Sequence, residues 1–205
     1  MVVPIYDEDK RWFGPMLSSF GILSNLDVLK RIDQPAPTSW SDLGRDGMFS
    51  WVSAGDPRQS GSVHMVYEII LQARGWDEGF RLLMRLGANT RSFIRDSGTL
   101  TRSVTNGDVA AAGNIDVQAL SAVGRYPTMM HFHLPAGETI INADAIARLK
   151  GAPHSELGAS VYRIHFERCG TTPLLFTAWL AGWAETLSAV PSERFQGALR
   201  PVSTE

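Results

Sequence analysis

The chain has 205 residues, a formal net charge of −2, 44% hydrophobic and 20% charged residues; that length allows one large domain or two small ones, and that balance gives no global electrostatic case for nucleic acid or an anionic membrane surface. One cysteine, Cys169, excludes an internal disulfide framework and a cysteine-based metal cluster. No apolar run reaches the roughly 20 residues of a membrane span, and the start, Met1-Val-Val-Pro followed by acidic Asp7-Glu8-Asp9, lacks the basic segment and apolar core of a signal peptide.

Taken in chain order, Trp12 to Leu23 is apolar and β-prone, with Ser18-Ser19-Phe20-Gly21 at its middle. Asn25 to Arg31 suits a short helix capped by Asn25, with Leu26, Val28 and Leu29 inward, ended by Pro35 and Pro37. Thr38-Ser39-Trp40-Ser41-Asp42-Leu43 starts another helical turn, and Met48 to Ala54 reads as a strand. A Gly/Ser loop then leads into a long helix, Ser62 to Ala73, capped by Ser60 or Ser62. Val63, Val66, Tyr67, Ile70 and Leu71 recur there at helical spacing. Gly75 closes it. Asp77 is placed to cap the next helix, with Phe80, Leu83, Met84 and Leu86 inward and Gly87 as its stop.

Thr90 to Ile94 is a short strand; Asp96-Ser97-Gly98-Thr99 then enters a helix from about Leu100 to Asn106. Ala110 to Ile115 is a small, buried-looking strand that delivers Asn114 and Asp116 to its carboxyl end, where ligands of open α/β sheets gather. Met130 to Leu134 alternates, with Met130, Phe132 and Leu134 on one face and His131 and His133 on the other. Strand and helix patterns alternate, so the fold class is α/β. Two loops, at Ser60-Gly61-Ser62 and Ser97-Gly98-Thr99, open helices of the kind whose free N–H groups and dipole receive an anion. Arg81, Arg85, Arg91, Arg95 and Arg102 make the middle locally basic, as solvated helix faces or an anion-attracting rim.

Other chemistry is thinly supported. Ser62 and His64 stand two apart at a helix start and point to different sides, and no Gly-x-Ser-x-Gly elbow is present. His131 and His133 share a strand face that a metal could bridge, but no third ligand accompanies them, and a surface pair is the simpler reading. No Gly-x-x-x-x-Gly-Lys-Ser/Thr sequence marks an ATPase.

The stretch Ala54-Gly-Asp56-Pro57-Arg58-Gln59-Ser60-Gly61-Ser62, followed by Arg74-Gly75-Trp76-Asp77-Glu78-Gly79-Phe80, resembles a known pattern. It is similar to "A-D-P-x-x-S-G-S, helix, Y-G-W-x-x-G-W" of the periplasmic substrate-binding proteins of ABC importers. The group is the two-lobed type II one that includes the ferric-ion binders. Further segments are colinear with it: Trp12-Phe-Gly-Pro-Met-Leu-Ser-Ser-Phe-Gly-Ile22, Asn25-Leu-Asp-Val-Leu29, Pro37-Thr-Ser-Trp-Ser-Asp-Leu43, Gly107-Asp-Val-Ala-Ala-Ala-Gly113, Asn142-Ala-Asp-Ala-Ile-Ala147 and Leu149-Lys-Gly-Ala-Pro-His154.

The resemblance implies a type II periplasmic-binding-protein-like fold with one complete lobe and part of the second. Residues 1–21 would be a remnant of lobe one with the first hinge strand, 22–138 lobe two, and 139–158 the second hinge strand returning to lobe one. It implies a non-enzymatic solute receptor, without cofactor, that holds an anionic or metal-chelate solute in an interlobe cleft and docks to an inner-membrane ABC permease. The location implied is the periplasm. The contacts carried over are Ser18 and Ser19 at the hinge, Ser60, Gly61 and Ser62 at the first helix, Ser97, Gly98 and Thr99 at the second, and Asp116. Direct Fe(III) ligation by adjacent tyrosines is not expected. Tyr6, Tyr67, Tyr126 and Tyr162 are the only tyrosines, and Val117-Gln118 follows Asp116 where related sequences have "I-D-F-Y". The alternative function is a small α/β hydrolase or transferase acting on a phosphorylated substrate at the same helix starts.

Relative to the resemblance, the chain is expected to lack the first half of lobe one. That would leave the apolar strand around Met16-Leu17 and Ile22-Leu23 with an exposed edge. From about Ala159 the pattern departs. The family continues with "R-F-I-E-F-I-L-S-x-x-G-Q", which codons for Ser160-Val-Tyr-Arg-Ile-His-Phe-Glu-Arg168 can spell one nucleotide later. Residues 159–205 are accordingly expected to be an out-of-frame tail, the alternative being a divergent C-terminal helix.

Overall fold

A computed structural model describes residues 11–161 together with Asp7 and Asp9. The proposed out-of-frame tail lies outside the described residues from position 162 onward. The chain divides into two compact units: Ser19–Ile140, and the described residues before Ser19 and after Ile140.

In the unit Ser19–Ile140 the strands are the end of β1 (Trp12–Asn25), β2 (Val52–Gly55), β3 (Thr90–Ile94), β4 (Ala111–Ile115) and β5 (Met130–His133). They stand in the order β3-β2-β4-β1-β5. β2 runs parallel to β3 and β4, while β1 runs antiparallel to β4 and β5. The helices are α1 (Leu26–Arg31), α2 (Gly61–Arg74), α3 (Trp76–Asn89), α4 (Ser97–Thr105) and α5 (Asp116–Arg125). Two turns of 3-10 helix, Trp40–Gly44 and Asp46–Met48, lie between α1 and β2.

Alternation along β1 and β4 separates two cores. Ile22 and Ala111 face one, with Leu29, Trp40, Val66, Ile70, Leu82 and Leu86. Leu23 and Ala112 face the other, with Leu100, Val104, Ala119, Ala122 and Met130. Helices thus cover both faces of the central strands, and β2 is buried along its whole length. Ile22 and Leu23 are fully buried and paired on both sides, to β4 and β5, so the expected exposed edge is absent at this pair. The pairings that bury them lie wholly within the unit Ser19–Ile140. Trp40 is fully buried and its indole N–H donates to the Glu138 carbonyl at 2.7 Å, fastening the far end of the unit to its start.

Several boundaries differ from expectation. Gly75 (φ 76°) precedes α3 directly, so that helix starts at Trp76, not after Asp77, and it runs through Gly87 to Asn89. Phe80 (39% exposed) and Met84 (66%) face solvent, because Gly79, Leu82, Leu86 and Asn89 take the inner face. Met48 belongs to a 3-10 turn instead of β2. In the other unit β6 (Ile141–Ala147) pairs with β1, and Ser18 Oγ donates to Asp144 at 2.6 Å.

Candidate functional site

The topology gathers the candidate residues before any side chain is considered. β2, β3 and β4 are parallel, so the loops leaving them emerge at one edge of the sheet. The antiparallel register Phe20↔Ile115 brings Ser19 to the same edge. The chain leaves β2 toward β3 on one side and leaves β4 toward β5 on the other. The carboxyl ends of β2 and β4 therefore flank a reversal of connection, the place where open α/β sheets form a crevice.

The first wall is the start of α2. Ser60 is extended (φ −147°, ψ 127°) and its hydroxyl makes no capping bond. His64 N–H donates to the Ser60 carbonyl at 3.0 Å, the first bond of the helix. Helix geometry gives the N–H groups of Gly61, Ser62 and Val63 no acceptor within the helix. Among the described residues nothing lies within 4 Å of where a Gly61 Cβ would stand, so this turn is open. The turn is also held hard against β2. A Cβ on Gly55 would lie 1.7 Å from Val63 Cγ1, and the Tyr67 hydroxyl donates to the Gly55 carbonyl at 2.6 Å. Burial, with Asp56 nearby, pushes the Tyr67 phenol up to about 12, so it stays a donor. Asp56 N–H donates to the Ile94 carbonyl at 2.8 Å, tying this loop to the end of β3.

The second helix start is already occupied. Asp96 caps α4: its Oδ1 accepts Thr99 N–H at 2.7 Å and its Oδ2 accepts the Thr99 hydroxyl at 2.8 Å. These bonds, the backbone one foremost, hold the Asp96 carboxyl below its usual range. Ser97, Gly98 and Thr99 form the first turn of α4 instead of a loop before it. A fixed carboxylate sits where an anion was expected, so this turn offers hydroxyls and the neighbouring Arg102, which donates to Thr99 Oγ1 at 2.7 Å, in place of free amides. Exposed Arg58 pairs with Asp56 at 2.9 Å, and Arg95 also acts on Asp56. This edge therefore carries arginines and carboxylates together: Arg58 and Arg95 act on Asp56, and Arg102 lies beside the Asp96 cap.

The third group is buried. Asp116 is fully buried; its Oδ2 accepts Ser19 N–H at 2.6 Å and the Ser19 hydroxyl at 2.8 Å, and its Oδ1 accepts Val117 N–H. Ser18 and Ser19 are buried as well. Asp116, expected as a contact, acts here as a clamp that holds the start of α5 to β1. Behind it Asn114 Nδ2 donates to Thr101 Oγ1 at 2.7 Å, joining β4 to α4. A Cβ on Gly98 would come 4.0 Å from Gln118 Oε1, so α4 and α5 begin side by side. The sequence reading missed α5, although Ala119, Ala122 and Val123 carry a helical period after Asp116.

His64 does not approach Ser62 as a base. Its ring nitrogens lie 3.2 Å from the Pro57 carbonyl and 3.1 Å from Glu68 Oε1, both acceptors. Among the described residues no three His, Cys, Asp or Glu side chains gather to hold a metal ion.

No family model matches the sequence. A 140-residue stretch is 23% identical to the phosphoglycerate transport regulatory protein PgtC of Salmonella typhimurium, covering 68% of this chain and 34% of that one. The fold superposes on the periplasmic binding protein AfuA of Actinobacillus pleuropneumoniae, solved with fructose 6-phosphate bound, with a TM-score of 0.70 and 19% identity; the match covers 80% of this chain and 51% of AfuA. It superposes on iron-bound HitA of Pseudomonas aeruginosa with a TM-score of 0.62 and 18% identity, covering 96% of this chain and 62% of HitA. The chain has the fold of the type II periplasmic binding proteins. It spans 51% of the length of AfuA, 62% of HitA and about a third of the curated relative.

Proposed function

We propose that this chain is the solute-binding component, or a part of it, of an ABC importer for a phosphate-bearing or similarly anionic solute. It works in the periplasm and delivers the solute to an inner-membrane permease. The observation that carries the reading is the open first turn of α2 at the reversal point of the sheet. The amides of Gly61, Ser62 and Val63, with the Ser60 and Ser62 hydroxyls, take the anionic group. Ser97 presents its hydroxyl to the remainder of the solute, on the turn that Gly98 and the Asp96-bonded Thr99 shape. Ser18, Ser19 and Asp116 position the edge without touching it. A chelated metal enters in the same way, through the anionic groups of its chelator. The chain is a receptor and not a hydrolase, since His64 is engaged by Pro57 and Glu68 and leaves Ser62 without a base.

The test is calorimetry and thermal unfolding with fructose 6-phosphate, phosphoglycerate and inorganic phosphate. Saturable binding with a rise in Tm is expected for at least one of them. Gly61→Pro removes one donor at a helix position that tolerates proline, so the fold survives and affinity falls at least tenfold. Release of phosphate from either ester, lost in Ser62→Ala, would instead establish the hydrolase.

A further inference from the structure

We propose a second, separate site: His131 and His133 on β5 chelate a divalent transition-metal ion of the copper, nickel and zinc group, with water completing its coordination. The pair lies on the edge strand of the sheet, separated from β2 and the start of α2 by β1 and β4. Alternation sends both imidazoles to the same face. His131 is exposed and His133 partly exposed, so solvent and a dissolved ion reach the pair. Their centroids are 6.1 Å apart with the planes 24° from parallel. At M–N bonds of about 2.0–2.1 Å, two rings sharing one ion have centroids at most about 6.4 Å apart, so the ion fits after side-chain rotation alone.

A buried, unmet polar group lies beside the pair. Ser24 stands opposite His131 in the β1–β5 register, and directly opposite residues share a sheet face. Ser24 is fully buried, and its hydroxyl has no hydrogen-bond partner among the described residues. Such a group in a folded protein calls for an unseen water or ion. A water bound to the chelated ion, donating to or accepting from Ser24 Oγ, satisfies it. Imidazole ligands select this class of metal over calcium and magnesium, and the order of affinity should follow Cu(II) above Ni(II), with Zn(II) below Cu(II). Two protein ligands make an exchangeable site, unlike the closed four-ligand cages of structural zinc.

The experiment uses the whole chain and Cu(II), Ni(II), Zn(II) and Mg(II) chlorides, read by calorimetry and by broadening of histidine ring resonances with substoichiometric Cu(II). One Cu(II) per chain is expected at this site. His131 and His133 should broaden first, and affinity should fall at least tenfold in either His131→Gln or His133→Gln. His64→Gln should leave the binding unchanged, and Mg(II) should not compete. The metal-free Tm of each variant shows that the fold is intact. Ser24→Ala should weaken binding about threefold without removing it. Broadening that begins at His64, or Cu(II) affinity indifferent to both His131 and His133, overturns the site. Because no solute is added, failure here leaves the receptor reading untouched, and failure of solute binding leaves this one untouched.

Discussion

Gly55 shows how a single missing side chain shapes this protein. It ends β2 and lets Val63 in the first turn of α2 press onto the strand, at 1.7 Å from where a Cβ would be. Both the beta carbon and the methyls of Val63 are close, so the neighbour cannot swing aside. Gly55→Ala should therefore cost about 3 kcal/mol in urea unfolding and push the α2 amides out of place. A loss below 0.5 kcal/mol would show that the contact is slack. Asp116 makes the complementary case. Truncating it strands the buried Ser19 N–H and hydroxyl together, and a buried donor left unsatisfied costs about 1–3 kcal/mol. Asp116→Ala should destabilise the chain by about 3 kcal/mol or more, while Asp116→Asn, which keeps the shape and one acceptor, should cost less. Equal losses in the two variants would contradict the clamp.

At the scale of elements, α2 carries its own titrating group. Both ring nitrogens of His64 face acceptors, so both bonds exist together only in the imidazolium. Hydrogen bonding to Glu68, then to the Pro57 carbonyl, raises the His64 pKa above its usual value of 6.5. Below about pH 6.5 the proton is bound in the folded and unfolded states alike, and the contribution to stability is fully present. It is lost as pH rises through the folded value. Amide exchange in the Asp56–Ser62 loop should speed up from pH 6.5 toward 8 beyond its intrinsic base catalysis, and His64→Gln should abolish that extra dependence. A wild-type profile that matches the variant would remove His64 from the loop's support. Asp96 works in the opposite sense at α4. Its carboxyl is held low by Thr99, so that cap is present above about pH 4 and fails as pH falls.

At the scale of the whole molecule, the unit Ser19–Ile140 contains both hydrophobic clusters and the pairings that join β1 to β5. Residues 19–140 expressed alone should unfold in one cooperative step, with coincident circular dichroism and Trp fluorescence transitions. Non-coincident transitions, or a molten state that binds hydrophobic dye, would show that the flanking segments are required.

Much of the fold could be read from local pattern. Asn25 as the cap of α1 accepts Val28 N–H as expected, and the strand around Phe20 to Leu23, the Gly/Ser entry to α2 and the small buried strand before Asp116 are where their patterns put them. These depend on neighbours a few residues away: an Asn before an apolar period, a glycine where a turn must form. Contacts between distant residues were not legible. Whether the start of α4 is an open amide nest or is filled by Asp96 depends on which way one carboxylate swings. That Asp116 is sealed against Ser19 depends on a strand pairing across 97 residues. Phe80 and Met84 fit an inward helical face equally well by period, and only the packing of Gly79, Leu82 and Leu86 turned them to solvent. The sequence by itself determined most of the segments that become strands and helices, α5 and the turn at Met48 excepted, and which loops carry serine and glycine, because those follow from short-range sterics and periodicity. Only the tertiary structure decided which of those loops keeps its amides free, because desolvation and pairing are set by whatever the fold brings within about 3 Å.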